Sequence, residues 1–150
     1  MGKNFLLSEA TAKKLDALLA GGSFVFSPQD FRVVERADGD GVTLRLVVAA
    51  RHLRPGGTVS GPAMFGLADV AMYLAILSRI GPVALAVTTN CSIDFMRKPA
   101  AGCDLLAHAR VLKLGKTLAV GDVLIFSEGQ AEPVARAGLT YAIPSARAGS

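Results

Sequence analysis

Gly61-Pro-Ala-Met-Phe-Gly-Leu-Ala-Asp-Val-Ala-Met-Tyr-Leu-Ala-Ile-Leu-Ser78 is the stretch that decides the fold. Ser60, just before it, can cap a helix, and Pro62 suits a first turn, where no intrahelical N–H is lost. Beyond that turn, apolar side chains occupy nearly every face, from Met64, Phe65 and Leu67 to Tyr73, Ile76 and Leu77. A helix apolar all round is buried all round. In a chain of 150 residues, a curved sheet wrapped round the helix would provide that cover. Gly81-Pro82 ends it. A membrane span needs about 20 apolar residues. Residues 55–78 open instead with the loop composition Pro-Gly-Gly-Thr-Val-Ser-Gly-Pro and carry Asp69 near their middle, a costly group in lipid. No membrane partner is expected.

The flanking sequence supplies the strands. Val42, Leu44, Leu46 and Val48 alternate onto one face. Residues 31–36 alternate more weakly, and Asp38-Gly-Asp-Gly41 between the two runs is a turn signal, so a hairpin is predicted. Residues 51–60 read as a loop. After the helix come four strand-like runs, 83–95, 104–114, 117–126 and 133–143. Their short, turn-rich links favour antiparallel hairpins. In the last run Ala135, Ala137, Leu139, Tyr141 and Ile143 share one face. Near the N-terminus, Ser8 can cap an amphipathic helix that Gly21-Gly22 stops. The expectation is one α+β domain over 1–150, with an N-terminal helix at about 8–20 and a core at about 31–143, in which an antiparallel sheet wraps round the long central helix.

Composition narrows the function classes. The hydrophobic share is 51% and the charged share 19%, apolar against a usual charged share of about 25%. Surface buried between subunits accounts for this, so a homo-oligomer is expected. The net charge of +4 favours an anionic partner. Trp is absent, only two Tyr occur and no basic run appears; a nucleotide-bearing metabolite suits the mild basic bias equally well, and no nucleic acid partner is expected. Cys91 and Cys103 are far apart and no histidines cluster, so no metal framework is offered and free buried thiols are expected. The N-terminus has no apolar signal core, and a cytoplasmic location is expected.

Asp69 is the only charged residue from Pro55 to Ser78. Aspartate has poor propensity in mid-helix, and a buried carboxylate must be paired or functional. It is either a reactive group or a structural acid bonded to a neighbouring Ser, Thr or main-chain group.

At these residues the chain resembles a known family. Gly57-Thr-Val-Ser-Gly-Pro-Ala-Met-Phe-Gly-Leu-Ala-Asp-Val-Ala-Met72 resembles the loop and helix start of phenylacetate-pathway-type acyl-CoA thioesterases of the hotdog fold, which carry Gly-x-x-His-Gly-Gly and then Leu-Ala-Asp-x-Ala. Ser92-Ile-Asp-Phe-Met-Arg-Lys-Pro99, Gly102-Cys-Asp-Leu-Leu-Ala-His-Ala-Arg-Val111 and Gly115-Lys-Thr-Leu-Ala119 resemble the strands that follow. The likeness spans roughly residues 42–143. It implies a homodimer or homotetramer with sheets joined edge to edge, active sites between subunits, and a substrate acylated on coenzyme A or on a carrier protein. Asp69 falls on the family's general base or nucleophile, and Gly61 on the main-chain donor that polarises the thioester carbonyl. Ser60 stands where the family commonly has His, Arg54 where many members have Asn, and Pro62 where the second Gly falls.

Thioester hydrolysis needs an activated water or a nucleophile, plus stabilisation of charge on the carbonyl oxygen. The free N–H groups at the start of the helix offer the second, and Asp69, about two turns along, offers the first. The expectation is that one helix brings both to one thioester. Ser60 is a substrate-contact candidate beside Gly61. Phe65 and Tyr73 lie on the Asp69 side of the helix with Met72 and Ile76, and can line an acyl or aromatic pocket. Thr88, Thr89 and Asn90 lie on a strand expected beside the helix of a partner subunit, where one can orient water. Arg97, Lys98, Lys113 and Lys116 near strand ends can bind the coenzyme A phosphates or form a solvated surface. His52 reads as a loop residue near solvent and His108 as an outer-face residue. No cofactor is expected beyond the coenzyme A of the substrate. The competing function is a non-catalytic acyl-CoA or acyl-carrier-protein binder on the same scaffold, motivated by Ser60 and Arg54 at the His and Asn positions. A dehydratase ranks lower, because no histidine lies on the helix.

Overall fold

Val42, Leu44 and Leu46 place their side chains on one face of a strand, and that face is core. The computed structural model describes residues 4–6, 30–34, 36–38, 41–81 and 86–144. Along the chain run β1 (Asn4–Leu6), β2 (Phe31–Val34), β3 (Arg36–Asp38), β4 (Gly41–Leu46), a 3-10 turn (Ala50–His52), α1 (Gly61–Ile80), β5 (Val87–Phe95), β6 (Leu105–Leu114), β7 (Leu118–Ser127) and β8 (Ala135–Ala142). The helix expected at about 8–20, its Gly21-Gly22 stop, the start of the run at 83 and the tail from 145 lie outside the described residues.

β1 and β3 pair with each other, and the other six strands form one antiparallel sheet in the order β2-β4-β6-β7-β8-β5. The β2–β4 pairing is as expected, and β6–β7 and β7–β8 are hairpins. β5 differs: it pairs with β8 at the far edge and not with β6. Nine residues separate Phe95 from Leu105, and at about 3.3 Å each they reach across the intervening strands. β5 thereby becomes an edge strand with most of its side chains exposed.

α1 lies across the concave face. The sheet there is lined by small side chains, including Ala107, Ala109, Ala119, Ala135 and Ala137, so the helix approaches closely and its larger residues (Leu67, Met72, Leu74, Ile76) fill the space fully buried. Ser60 caps α1, its Oγ accepting from the Ala63 N–H at 3.2 Å, and Gly81 ends it at φ 89°. By length and composition α1 could cross a membrane, but 67% of its most apolar window is buried inside the fold. The expectation of burial all round needs correction. Pro62 and Phe65 are exposed and Asp69 and Tyr73 half-buried, because the sheet covers the helix on every side except this stripe.

Candidate active site

The uncovered stripe carries the helix's carboxylate. Thr88 Oγ1 donates to Asp69 Oδ1 at 2.6 Å, and Tyr141, from the inner face of β8, brings its hydroxyl to 2.6 Å from the same oxygen and 2.8 Å from the Asp69 main-chain carbonyl. Burial, then the Asp69 charge, pushes the Tyr141 hydroxyl far above the usual phenol range, so it stays a donor. Cys91 is close enough that burial, then the Asp69 carboxylate, raises its thiol. Burial also raises the Tyr73 phenol, and its ring centroid lies 6.3 Å from that of Tyr141. Asp69 is thus half-exposed, not buried as expected, and is held by hydroxyls, one of them the Thr88 side chain.

Thr88 meets Asp69 of its own chain, not that of a partner subunit. A register irregularity between Thr88 and Asn90 explains why: a bulge adds one residue and re-aims the side chains beside it. Thr89, within the bulge, donates instead to the Thr140 carbonyl at 3.2 Å.

At the start of α1 the Ser60 N–H donates to the His52 carbonyl, Pro62 has no N–H, and the Ala63 N–H is taken by Ser60 Oγ. Among the described residues no acceptor meets the Gly61 N–H. Beside it opens a cavity of about 380 Å³ lined by Arg54, Thr58, Gly61, Met64 and residues 95–99. The Phe95 ring lies against Gly61, so that a Cβ there would come within 3.3 Å of it. Gly61 and Asp69 are eight residues apart, roughly 12 Å along the helix axis. The expectation that one helix serves one thioester is therefore corrected: the two groups of a single chain are too far apart to act on the same carbonyl.

Arg97 and Lys98 line this cavity, although Arg97 also donates to the Pro133 carbonyl at 2.8 Å and pairs with Glu132 at 3.4 Å. Lys113 and Lys116 are exposed at the opposite end of the sheet, where Leu118 pairs with Ala142 and Ala142 with Val87. The four cations thus form two clusters. Met72 and Ile76 are core residues, which leaves Phe65 and Tyr73 on the open stripe. His52 is buried, not near solvent: its Nδ1 accepts the Ala49 N–H and its Nε2 lies 3.1 Å from Asp30. His108 is exposed as expected, 3.0 Å from Thr43 Oγ1 and edge-on to Phe126. Cys91 and Cys103 are free and half-buried. Sequence reasoning missed two residues here. Arg54 was read only as a replacement for Asn, yet it adds a third positive charge to the cavity. Tyr141 is placed by alternation only on the shared face of the last run, and that position was the one available signal.

A long central helix wrapped by an antiparallel sheet, with an acid on the helix and a free N–H at its start, defines a hotdog-fold protein of the thioesterase type. Residues 56–134, more than half of the chain, match the model of the thioesterase superfamily, and the chain belongs to that family. The acyl-coenzyme A thioesterase PaaI of Escherichia coli K12 is 35% identical over 85 residues, which cover 57% of this chain and 59% of PaaI. A candidate esterase of Archaeoglobus fulgidus is 34% identical over 95 residues, 63% of this chain and 59% of its own. The chain therefore spans about six tenths of the length of these curated relatives. Among solved structures, a candidate thioesterase of Silicibacter sp. TM1040 superposes with a TM-score of 0.77 at 56% identity, covering 89% of this chain and 91% of the other.

Proposed function

We propose that this protein hydrolyses acyl-CoA thioesters of short, medium or aromatic acyl groups, with Asp69 as general base or nucleophile and the Gly61 N–H as donor to the carbonyl oxygen. The observation that carries the reading is the hydrogen-bonded carboxylate of Asp69 on the stripe of α1 that the described strands leave open. PaaI of Escherichia coli, named as an acyl-CoA thioesterase, supports the substrate class.

The site is composed from two copies. β5 is an edge strand of nine residues with Val87 and Phe95 more than half exposed. Its unpaired main-chain groups are a template for another strand. Asp69 contacts the start of β5 through Thr88, and Gly61 contacts its end through Phe95. Antiparallel pairing of two β5 strands reverses these ends, so Asp69 of one copy comes beside Gly61 of the other. The same reversal brings Lys113 and Lys116 of one copy toward Arg54, Arg97 and Lys98 of the other, a basic surround for the coenzyme A phosphates. Water bound at Asp69 loses its proton to the carboxylate as it attacks the thioester carbon, or the carboxylate attacks directly. The Gly61 N–H takes up the developing oxyanion, and the coenzyme A thiolate leaves. Ser60, Phe65, Tyr73, Thr88 and Thr89 complete the substrate surround. No cofactor, nucleic acid or membrane partner is part of the reading, and the proposed setting is cytoplasmic, as a homodimer or homotetramer.

A thiol-release screen over a panel of acyl-CoAs tests this. At least one substrate is turned over, and Asp69→Asn reduces kcat/KM by roughly 10²- to 10⁴-fold with the fold preserved; wild-type activity in that variant would sink the mechanism. The second reading, a non-catalytic acyl-CoA or acyl-carrier-protein binder, is favoured by Ser60, whose Oγ is engaged in capping the helix where the family commonly carries His. Calorimetric binding of a thioester that stays intact for hours would select it.

A further inference from the structure

We propose that Tyr141 is the positioning residue of this site: reaching from β8, its hydroxyl holds the Asp69 carboxylate in one orientation and leaves Oδ2 as the working oxygen. The proposal rests on the reading of Asp69 as the reactive acid. Torsion of a carboxylate about its last bond is broad and soft, so an acid at a half-open site needs external restraint to present one oxygen to a thioester. Tyr141 is 2% exposed. Its hydroxyl lies 2.6 Å from Oδ1 and 2.8 Å from the main-chain carbonyl of the same residue. One group therefore references the side chain to its own backbone. Thr88 donates to Oδ1 as well, at 2.6 Å from β5. Among the described residues two hydroxyls converge on Oδ1 and no donor meets Oδ2, which is left to accept a proton or to attack. Packing between β8 and α1 needs only the ring. A buried hydroxyl is costly unless it is bonded, and here its bonds go to Asp69.

The test compares wild type, Tyr141→Phe, a 3-fluorotyrosine replacement at position 141 and Asp69→Asn, each as the full chain. The substrate is the acyl-CoA that wild type turns over fastest, and the temperature is well below each variant's Tm. Tyr141→Phe removes one oxygen and keeps the ring. Its kcat is expected to fall about 10- to 100-fold, the scale of a misplaced catalytic group, with KM within about threefold. Fluorotyrosine, which keeps the O–H, returns kcat to near wild type. If Tyr141→Phe keeps wild-type kcat while Asp69→Asn is inactive, the positioning role is overturned and the reading of Asp69 stands. Equal loss in the phenylalanine and fluorotyrosine proteins would mark a packing effect and also overturn it. Full activity in Asp69→Asn removes the reading beneath the proposal, and the proposal with it.

Discussion

Asp30 is a second acid with specific partners, and it lies away from the site. It is 3% exposed and meets the Arg51 guanidinium and His52 Nε2. Burial acts to raise its carboxyl, but the hydrogen bond from Arg51 and the nearby His52 ring outweigh this and hold it below the usual value of 3.8. Because His52 Nδ1 accepts the Ala49 N–H, the ring proton belongs on Nε2, facing Asp30. The His52 carbonyl in turn holds the Ser60 N–H at 2.8 Å, so the cluster anchors the loop leading to Gly61. A carboxylate with a depressed folded pKa contributes stability above its unfolded value, lost as pH falls through the folded one. Asp30→Asn is therefore expected to be less stable than wild type by about 1–3 kcal/mol at neutral pH. The gap narrows as pH falls below about 4, where the unfolded state takes up the proton first, and closes only below the lower folded value. Urea denaturation at pH 7 and pH 3 measures it, and a gap unchanged between the two would contradict the assignment.

At the scale of elements, the close approach of α1 to the sheet depends on missing side chains. A Cβ on Gly121 of β7 would stand 2.3 Å from Met72 Cε and 2.5 Å from the Arg110 carbonyl oxygen. Met72 can swing aside, but the Arg110 carbonyl is main chain, fixed in β6 by its pairing with β7, and cannot. Gly121→Ala should therefore cost about 1–3 kcal/mol of stability, as overpacking does. Gly138 of β8 faces open space, and Gly138→Ala should stay within about 0.5 kcal/mol of wild type. Chemical denaturation of the pair separates backbone crowding from a general intolerance of substitution in the sheet.

For the whole molecule, the separation of Gly61 and Asp69 along one helix makes the proposed site a property of two chains. Subunit mixing reads this out. Gly61→Pro removes the N–H at a first-turn position that proline tolerates, and Asp69→Asn removes the acid; each alone should be nearly inactive. Refolded together in equal amounts, they form mixed dimers in which one of the two sites pairs an intact Asp69 with an intact Gly61. About a quarter of wild-type activity should return for a two-fold dimer. No recovery, with mixed dimers present by mass spectrometry, would mean that each site lies within one chain. Sedimentation should likewise find a dimer or larger species, since the exposed β5 edge is paired in any such assembly.

Periodicity and punctuation along the chain were enough for the long helix, its Ser60 cap, the inward faces of β4 and β8 and the solitary acid at 69, because these depend on residues near one another in sequence. The match of Gly57-to-Met72 to a known family carried the functional class. Pairings across long sequence separations were beyond such reading. Short links argued for a β5–β6 hairpin, whereas β5 closes on β8, a choice set by which edge the helix crossover reaches. Strict alternation could not choose among Thr88, Thr89 and Asn90; a one-residue bulge turns Thr88 toward Asp69. Tyr141 lies 72 residues from the carboxylate it touches, and His52 is buried because Asp30 meets it. Local sequence determined which faces are apolar and where the charge sits. Only the tertiary structure decided which distant hydroxyls reach that charge, because hydrogen-bond partners are chosen by distance in space.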